Sequence, residues 1–235
     1  MAERRYHHGD LRTALLDAAE ALIRERGLDG WSLREVSIRI GVSPSAAYHH
    51  FDSRDGLVRA LSEQALARLG ERLGRAAGRA RGGRQQRLIA VGCSYVQWAI
   101  DDPAVARLVF GAGRTERETP ISPHPHDVLV AELDRLVEAG GLPASARPGA
   151  EFIVWAAMHG LATLLADGLI RLDSRRAVDR EVERLVQAVL AGLAQETAPS
   201  PAWPTPRSSH TERLARSQPS RSAPGEPVAE RGHRP

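Results

Sequence analysis

The stretch that decides the fold is residues 32–61, which read SLREVSIRIGVSPSAAYHHFDSRDGLVRAL. Ser32 begins a short helix with apolar residues on one face, and Gly41 ends it. Ser43 and Pro44 begin another, because a hydroxyl caps free N–H groups and proline at the first helical position loses no hydrogen bond. The stretch therefore predicts two short helices joined by a tight turn.

The second of these helices is predicted to end near His50, which makes it too short to be stable alone. Ala47 and Phe51 are four residues apart and are predicted to face inward and hold it. The other side chains then face outward, and the small ones near its start permit close approach to base edges in a major groove. This pattern is typical of a DNA-binding helix-turn-helix, although the same arrangement also occurs as an ordinary packing element.

Helical patterns cover most of the remaining chain. One helix precedes Gly27, and a long fourth helix begins at Ser53 and frays in the Arg- and Gly-rich stretch 78–84. Further helices are predicted, separated by a loop at 111–125, over residues 86–101, 103–110, 126–140, 149–170 and 175–195. The predicted fold class is all-α, with an N-terminal three-helix helix-turn-helix domain joined by the long fourth helix to a helical bundle.

The composition changes near residue 197. Eight of the 15 prolines lie in the last 39 residues, among Ser and Arg, so this tail is predicted to be disordered. The predicted domains are therefore 1–55, which includes a basic N-terminal arm, 56–196, and the tail 197–235. Nine Arg and nine acidic residues cancel within residues 1–60, so the net charge of +3 does not by itself indicate nucleic-acid binding.

Several function classes are disfavoured by the sequence. The single cysteine, Cys93, excludes an internal disulfide framework, and no run is apolar enough for a signal peptide or a membrane span. We therefore expect a soluble, cytoplasmic protein that does not bind a membrane. No nucleophile–base pair or phosphate loop is apparent, and His124 and His126 lack metal-ligand spacing, so no enzyme activity, cofactor or metal site is predicted.

These motifs resemble the tetracycline-repressor (TetR) family of transcription regulators. The run GVSPSAAYHHF with a basic residue three positions later is specific to that family. The runs at 6–23, 107–111 and 155–160 (WAAMHG) resemble a subgroup whose C-terminal domain carries a Trp-His-Gly signature. The resemblance implies DNA contacts by Ser32, Leu33, Arg34, Ser43, Pro44, Ser45, Ala46, Tyr48, His49, His50 and Arg54.

The resemblance also implies a homodimer, formed through helices at about 150–170 and 175–195, that binds a pseudopalindromic double-stranded operator. Both helices have wide apolar faces, which a monomer with a thick core would also explain. The 56–196 domain would then sense a small-molecule effector as well as dimerise. The candidate pocket residues, which could equally be core residues, are Trp98, Phe110, Phe152, Trp155 and His159.

The sequence thus predicts a DNA-binding transcription regulator, most simply a ligand-responsive repressor. Two alternatives stay open at this point. One is a transcriptional activator, and the other is a helical protein–protein interaction module without DNA binding. The identity of the effector and the operator sequence are not encoded in any motif.

Overall fold

The computed structural model describes residues 8–111 and 122–195. Within these ranges the secondary structure is helical and contains no strand, which confirms the all-α prediction. The predictions for the N-terminal arm, for much of the 111–125 loop and for the 197–235 tail fall outside the described residues. The helices are α1 (His8–Arg26), α2 (Leu33–Arg39), α3 (Pro44–Tyr48), α4 (Arg54–Arg79), α5 (Gln86–Asp101), α6 (Pro103–Gly111), α7 (Pro125–Glu138), α8 (Ala150–Ala166) and α9 (Arg175–Gln195).

α3, α7 and α8 end earlier than the sequence predicts, and α7 ends at Glu138 instead of residue 140. α3 ends at Tyr48 because the His50 N–H donates to the Ala47 carbonyl at 3.0 Å, a hydrogen bond that tightens the last turn. α8 ends at Ala166 instead of residue 170, because the backbone turns through Gly168 at φ +70°. Glycine accepts this left-handed conformation without steric cost.

The first three helices and the start of α4 enclose one apolar core, and we call residues 8–61 the head. Serine hydroxyls cap α2, α3 and α4, which explains why these helices begin where they do. α6 also contributes to this core, through Leu108, although it lies far away in the sequence. The main buried residues are Leu15, Leu22, Trp31, Leu33, Val36, Ala47, Phe51, Leu57, Leu61 and Leu108.

The second core lies among α4, α5, α7, α8 and α9, and α5 packs against most of these helices. Gly92 permits the close approach of α5 to its neighbours. A Cβ atom at this position would lie 2.9 Å from Met158 Sδ of α8 and 2.9 Å from Val182 Cγ1 of α9. In the part of the chain that the structure describes, no helix is long and apolar enough to cross a membrane.

Ion pairs join the head to this second group of helices. Arg24 of α1 donates to Asp102 at the α5–α6 junction, with the Nη2 to Oδ2 distance at 2.7 Å. Asp102 also accepts a hydrogen bond from the Val105 N–H, so the same carboxylate caps α6. Glu20, buried on α1, accepts from Arg68 of α4 at 2.6 Å. α4 and α6 are therefore both tied to α1.

Candidate functional site

The outer face of α3 presents the residues that the sequence predicts to contact DNA. Ala47 and Phe51 are buried in the head core and hold the helix in place. Tyr48 is 52% exposed despite its large ring. The other predicted contacts on this segment are exposed or half-buried, namely Pro44, Ser45, Ala46, His49 and His50. This surface is compact and ordered by the core beneath it, as a groove-reading helix requires.

Ser32 and Ser43 serve as helix caps. Ser32 Oγ accepts from the Glu35 N–H, and Ser43 Oγ accepts from the Ala46 N–H, each at 3.2 Å. Each hydroxyl keeps its own O–H donor. Both serines can therefore cap a helix and still donate to a phosphate oxygen.

The start of α2 only partly matches the predicted contact set. Arg34 is exposed and has no ion-pair partner among the described residues. Leu33, in contrast, is 2% exposed, because its side chain packs in the head core. In this arrangement the Leu33 side chain is enclosed by the head core, so the predicted DNA contact of this residue would have to use its backbone.

Arg54 is held by the head instead of projecting freely from it. Its guanidinium donates to the carbonyl of Leu28 and lies over the ring of Trp31, with Cζ 4.5 Å from the ring centroid. It also lies 3.8 Å from Asp29 and 3.5 Å from Asp55. The sequence interpretation, a phosphate contact, missed this role in fastening the α1–α2 loop to α4. The aromatic partner, 23 residues earlier in the chain, gave no local signal.

A cavity of about 430 Å³ lies between α5, α6 and α8. Of the five predicted pocket residues, Phe110 and His159 line it. Small side chains leave the space, and the α1–α2 loop closes part of the wall through Leu28. The described lining residues that the sequence interpretation missed are Leu28, Tyr95, Ala99, Pro103, Ala106, Arg107, Ala162, Thr163, Ala166 and Asp167.

The other three predicted pocket residues do not line this cavity, and Trp155 instead lines a second, smaller pocket among α4, α5, α7 and α8. Trp98 contacts Phe110 edge to face, with ring centroids 6.3 Å apart. Trp155 also contacts Phe110 edge to face, with ring centroids 6.1 Å apart. Phe152 lies farther along α8, 6.1 Å from the ring of His126. Alanine side chains on α5, α6 and α8 leave the space of this cavity, whereas large aromatic side chains beside it fill space.

Tyr95 and His159 form a hydrogen-bonded polar pair in the cavity lining. Tyr95 Oη lies 2.8 Å from His159 Nδ1. Burial raises the pKa of the Tyr95 hydroxyl and lowers the pKa of the His159 imidazole, because both charged forms lose hydration. Both groups are therefore neutral near pH 7, and the hydrogen bond joins two uncharged partners.

A family model described as "Bacterial regulatory proteins, tetR family" matches residues 15–61, which are most of the head. A second model, "Tetracyclin repressor-like, C-terminal domain", matches residues 88–217, more than half of the chain. The chain belongs to the tetR family. Its narrower placement in the Trp-His-Gly subgroup stays a prediction.

Individual relatives agree with this assignment. The transcriptional repressor KstR2 of Rhodococcus jostii is 43% identical over 47 residues, 20% of this chain and 23% of that protein. The transcriptional regulator BetI of Brucella anthropi is 36% identical over 90 residues, 37% of this chain and 46% of that protein. The matched regions thus span less than half of either curated relative.

Solved structures extend the likeness along the chain. A protein of unknown function from Rhodococcus sp. RHA1 has a TM-score of 0.64 and 31% identity, covering 82% of this chain and 100% of that one. A tetR-family regulatory protein from Rhodococcus RHA1 has a TM-score of 0.59 and 19% identity, covering 76% and 96%. The second likeness concerns the fold alone.

The arginines of this tetR-family head differ in whether an acidic side chain pairs with them. Acidic partners neutralise Arg24, Arg26, Arg39 and Arg54. Within the described part of the head, the arginines without an acidic partner are Arg12, Arg34 and Arg59, and Arg12 lies over the Phe51 ring at 5.1 Å. Asp17 and Asp52 are likewise exposed and without an ion-pair partner among the described residues, so the unpaired side chains of the head carry both signs of charge.

The structure buries, within the chain itself, part of the apolar surface that the sequence predicts for α8 and α9. Much of the apolar stripe predicted for α9 is buried in the chain's own core, including Val182, Val186 and Leu190. Leu185 and Val189 are only half-buried. The exposed large apolar residues on α8 and just after it are Ile153, Leu164, Leu169 and Ile170.

The remaining candidate ligands do not assemble. Among the residues that the structure covers, no group of three His, Cys or acidic side chains is placed to hold a metal ion. Cys93 is half-buried with Sγ 3.8 Å from the Asp179 carbonyl, and burial raises the pKa of its thiol to about 12. A thiol of that pKa is a poor nucleophile.

Proposed function

We propose that this tetR-family chain is a DNA-binding transcription regulator that acts as a ligand-responsive repressor. The observation that carries the proposal is α3, a five-residue helix fastened by Ala47 that presents Tyr48 and His49 to solvent. Exposed polar side chains on a core-supported short helix suit contacts to base edges. KstR2, which is named a repressor, supports the direction of regulation. A protein that binds chromosomal DNA is expected in the cytoplasm.

In this proposal α3 enters the major groove and other groups position it. Arg34 at the start of α2 pairs with a phosphate, and the capped N-termini of α2 and α4 donate backbone N–H groups to phosphates. Such contacts carry affinity without sequence information, whereas Tyr48 and His49 would supply the base contacts. Substitution of Arg34 is therefore expected to weaken binding to every DNA sequence, whereas substitution of Tyr48 or His49 is expected to reduce the preference for the operator.

The proposed active form is a homodimer that joins α8 and α9 of one protomer to those of its partner. Exposed Ile153 and Leu164 on α8, together with half-buried Leu185 and Val189 on α9, support this surface. Ile153 and Leu164 lie about three helical turns apart on α8 and so share one face, and a contiguous apolar face is typical of an interface. Sedimentation equilibrium is expected to give a dimer for the wild type and a monomer for Leu164→Asp.

Ligand response is supported by two connections between the cavity and the head. Leu28 lines the cavity, and its carbonyl accepts a hydrogen bond from Arg54. On α6, Phe110 lines the cavity and Leu108 is buried in the head core. An occupant that shifts α6 would therefore disturb the head core directly. A hundredfold loss of operator affinity requires about 2.8 kcal/mol of differential binding.

Selection from a random double-stranded DNA library tests the proposed function. The full chain is expected to enrich pseudopalindromic sites whose half-sites are about one helical turn apart. The Arg34→Ala variant should recover the same sequences with lower yield, because a phosphate contact positions the protein on DNA without distinguishing the bases. Recovery of no sequence preference by a folded, dimeric wild type would refute the proposal and favour a protein-interaction module.

A further inference from the structure

We infer that the cavity between α5, α6 and α8 takes an uncharged molecule with a compact apolar body and one hydroxyl group. The inference deepens the proposed function, since it names the chemical class of the effector. Binding to the cavity is nevertheless measurable without DNA, so the two ideas fail separately.

The apolar body follows from the walls. Ala99 of α5, Ala106 of α6, and Ala162 and Ala166 of α8 leave the space open, and Phe110 supplies one aromatic surface. Ala162 and Ala166 are one helical turn apart, so they clear adjacent parts of the same wall. The volume of about 430 Å³ lies in the range usual for small-molecule pockets.

The hydroxyl group follows from the polar pair. When Tyr95 donates its O–H to His159 Nδ1, 2.8 Å away, the neutral imidazole carries its own proton on Nε2. The pair then offers an N–H donor from His159 and a lone pair on the Tyr95 oxygen. A hydroxyl group both accepts and donates a hydrogen bond, so it complements both atoms.

The absence of net charge follows from the electrostatics of the lining. Tyr95 and His159 are neutral near pH 7, because burial disfavours both charged forms. Of the described lining residues, Arg107 and Asp167 are the charged ones, and they pair with each other at 3.1 Å where both are well exposed. A carboxylate or ammonium group deep in the cavity would therefore lose its hydration without gaining a partner.

Three probes with one ring system separate these contributions: β-naphthol, β-naphthoate and naphthalene. Calorimetric titration of the full chain at pH 7.5, without DNA, is expected to show β-naphthol binding at least tenfold more tightly than β-naphthoate. Tyr95→Phe should remove most of the advantage of β-naphthol over naphthalene and leave naphthalene unchanged.

Two substitutions test the location. Ala166→Leu should weaken the binding of β-naphthol at least tenfold, because the added side chain occupies the cavity. Ala131→Leu, on an exposed part of α7 outside the lining, should leave binding unchanged. Thermal unfolding of each variant shows that it is folded.

Two results would overturn the inference. In one, β-naphthoate binds more tightly than β-naphthol and loses that affinity in Arg107→Gln, which identifies an anionic effector held at the cavity mouth. In the other, folded wild-type protein binds none of the probes, or Ala166→Leu binds them as well as the wild type. A failed DNA selection with intact β-naphthol binding would refute the proposed function alone.

Discussion

Arg54 provides the sharpest contrast between a structural role and a DNA contact. Arg54→Met keeps the aliphatic stem over Trp31 but removes the donor to the Leu28 carbonyl and the cation above the ring. A hydrogen bond from a charged donor contributes about 1.5–3 kcal/mol, and an exposed cation–π contact about 0.5–1 kcal/mol. The ion pairs to Asp29 and Asp55 involve exposed carboxylates and add little.

One contribution opposes these losses. A positive charge in the first turn of a helix is unfavourable by about 0.3–1 kcal/mol, and the substitution removes it from α4. The net expectation for Arg54→Met is a loss of about 2 kcal/mol in the free energy of unfolding. For a chain of this size, this corresponds to a fall of about 4–8 °C in Tm.

The assay combines urea unfolding with the salt dependence of DNA affinity. Arg54→Met is expected to lower stability and leave the slope of log affinity against log salt unchanged. Arg59→Met is the control on the same helix, since Arg59 is exposed and has no acidic partner among the described residues. The structural role of Arg54 is refuted if stability stays within about 0.5 kcal/mol while the slope falls by about 0.9 per protomer, the signature of a lost phosphate contact.

Three further predictions concern the helical bundle. Gly92→Val should cost about 1–3 kcal/mol in urea unfolding, because the new side chain overlaps Met158; an unchanged midpoint would mean that α5 has room to move. Glu132→Gln should also cost about 1–3 kcal/mol, because Arg87 donates to both oxygens of this buried carboxylate at 2.6 and 2.7 Å; equal thermal stability would contradict it. For His159, burial lowers the folded-state pKa, so its contribution is present above the unfolded value of about 6.5 and is lost as pH falls through the folded value. The Tm of the wild type should therefore fall more between pH 7.5 and pH 5 than that of His159→Gln, and parallel falls would exclude this group as the source.

The head was largely predictable because its determinants are local. Ser43 and Pro44 define the start of α3 within two residues, and Ala47 and Phe51 reveal the inward face by their spacing. The family likeness assigned contacts position by position, but it could not show which groups the core uses. Leu33 is an example, because the likeness assigned it a DNA contact and its side chain is buried in the head core.

The cavity was less predictable because it depends on tertiary packing. The sequence interpretation selected aromatic residues, and Trp98 and Trp155 pack against Phe110 without lining the cavity. The space itself comes from alanines on three helices, which single-sequence patterns treat as ordinary helix formers. Leu28 joins this wall only through the docking of α1 beside α6, a contact between residues far apart in the chain.

Fluorescence anisotropy with a selected operator and a scrambled duplex tests the central claim, that α3 reads DNA, most directly. At one fixed salt concentration, Tyr48→Ala/His49→Ala is expected to lose at least about a hundredfold of the wild-type preference for the operator, since each lost base contact costs about 1–3 kcal/mol. Its affinity for the scrambled duplex should change little, because phosphate contacts elsewhere supply that binding. Both side chains are exposed, so the fold should be retained. An unchanged preference in a folded double variant would contradict the account.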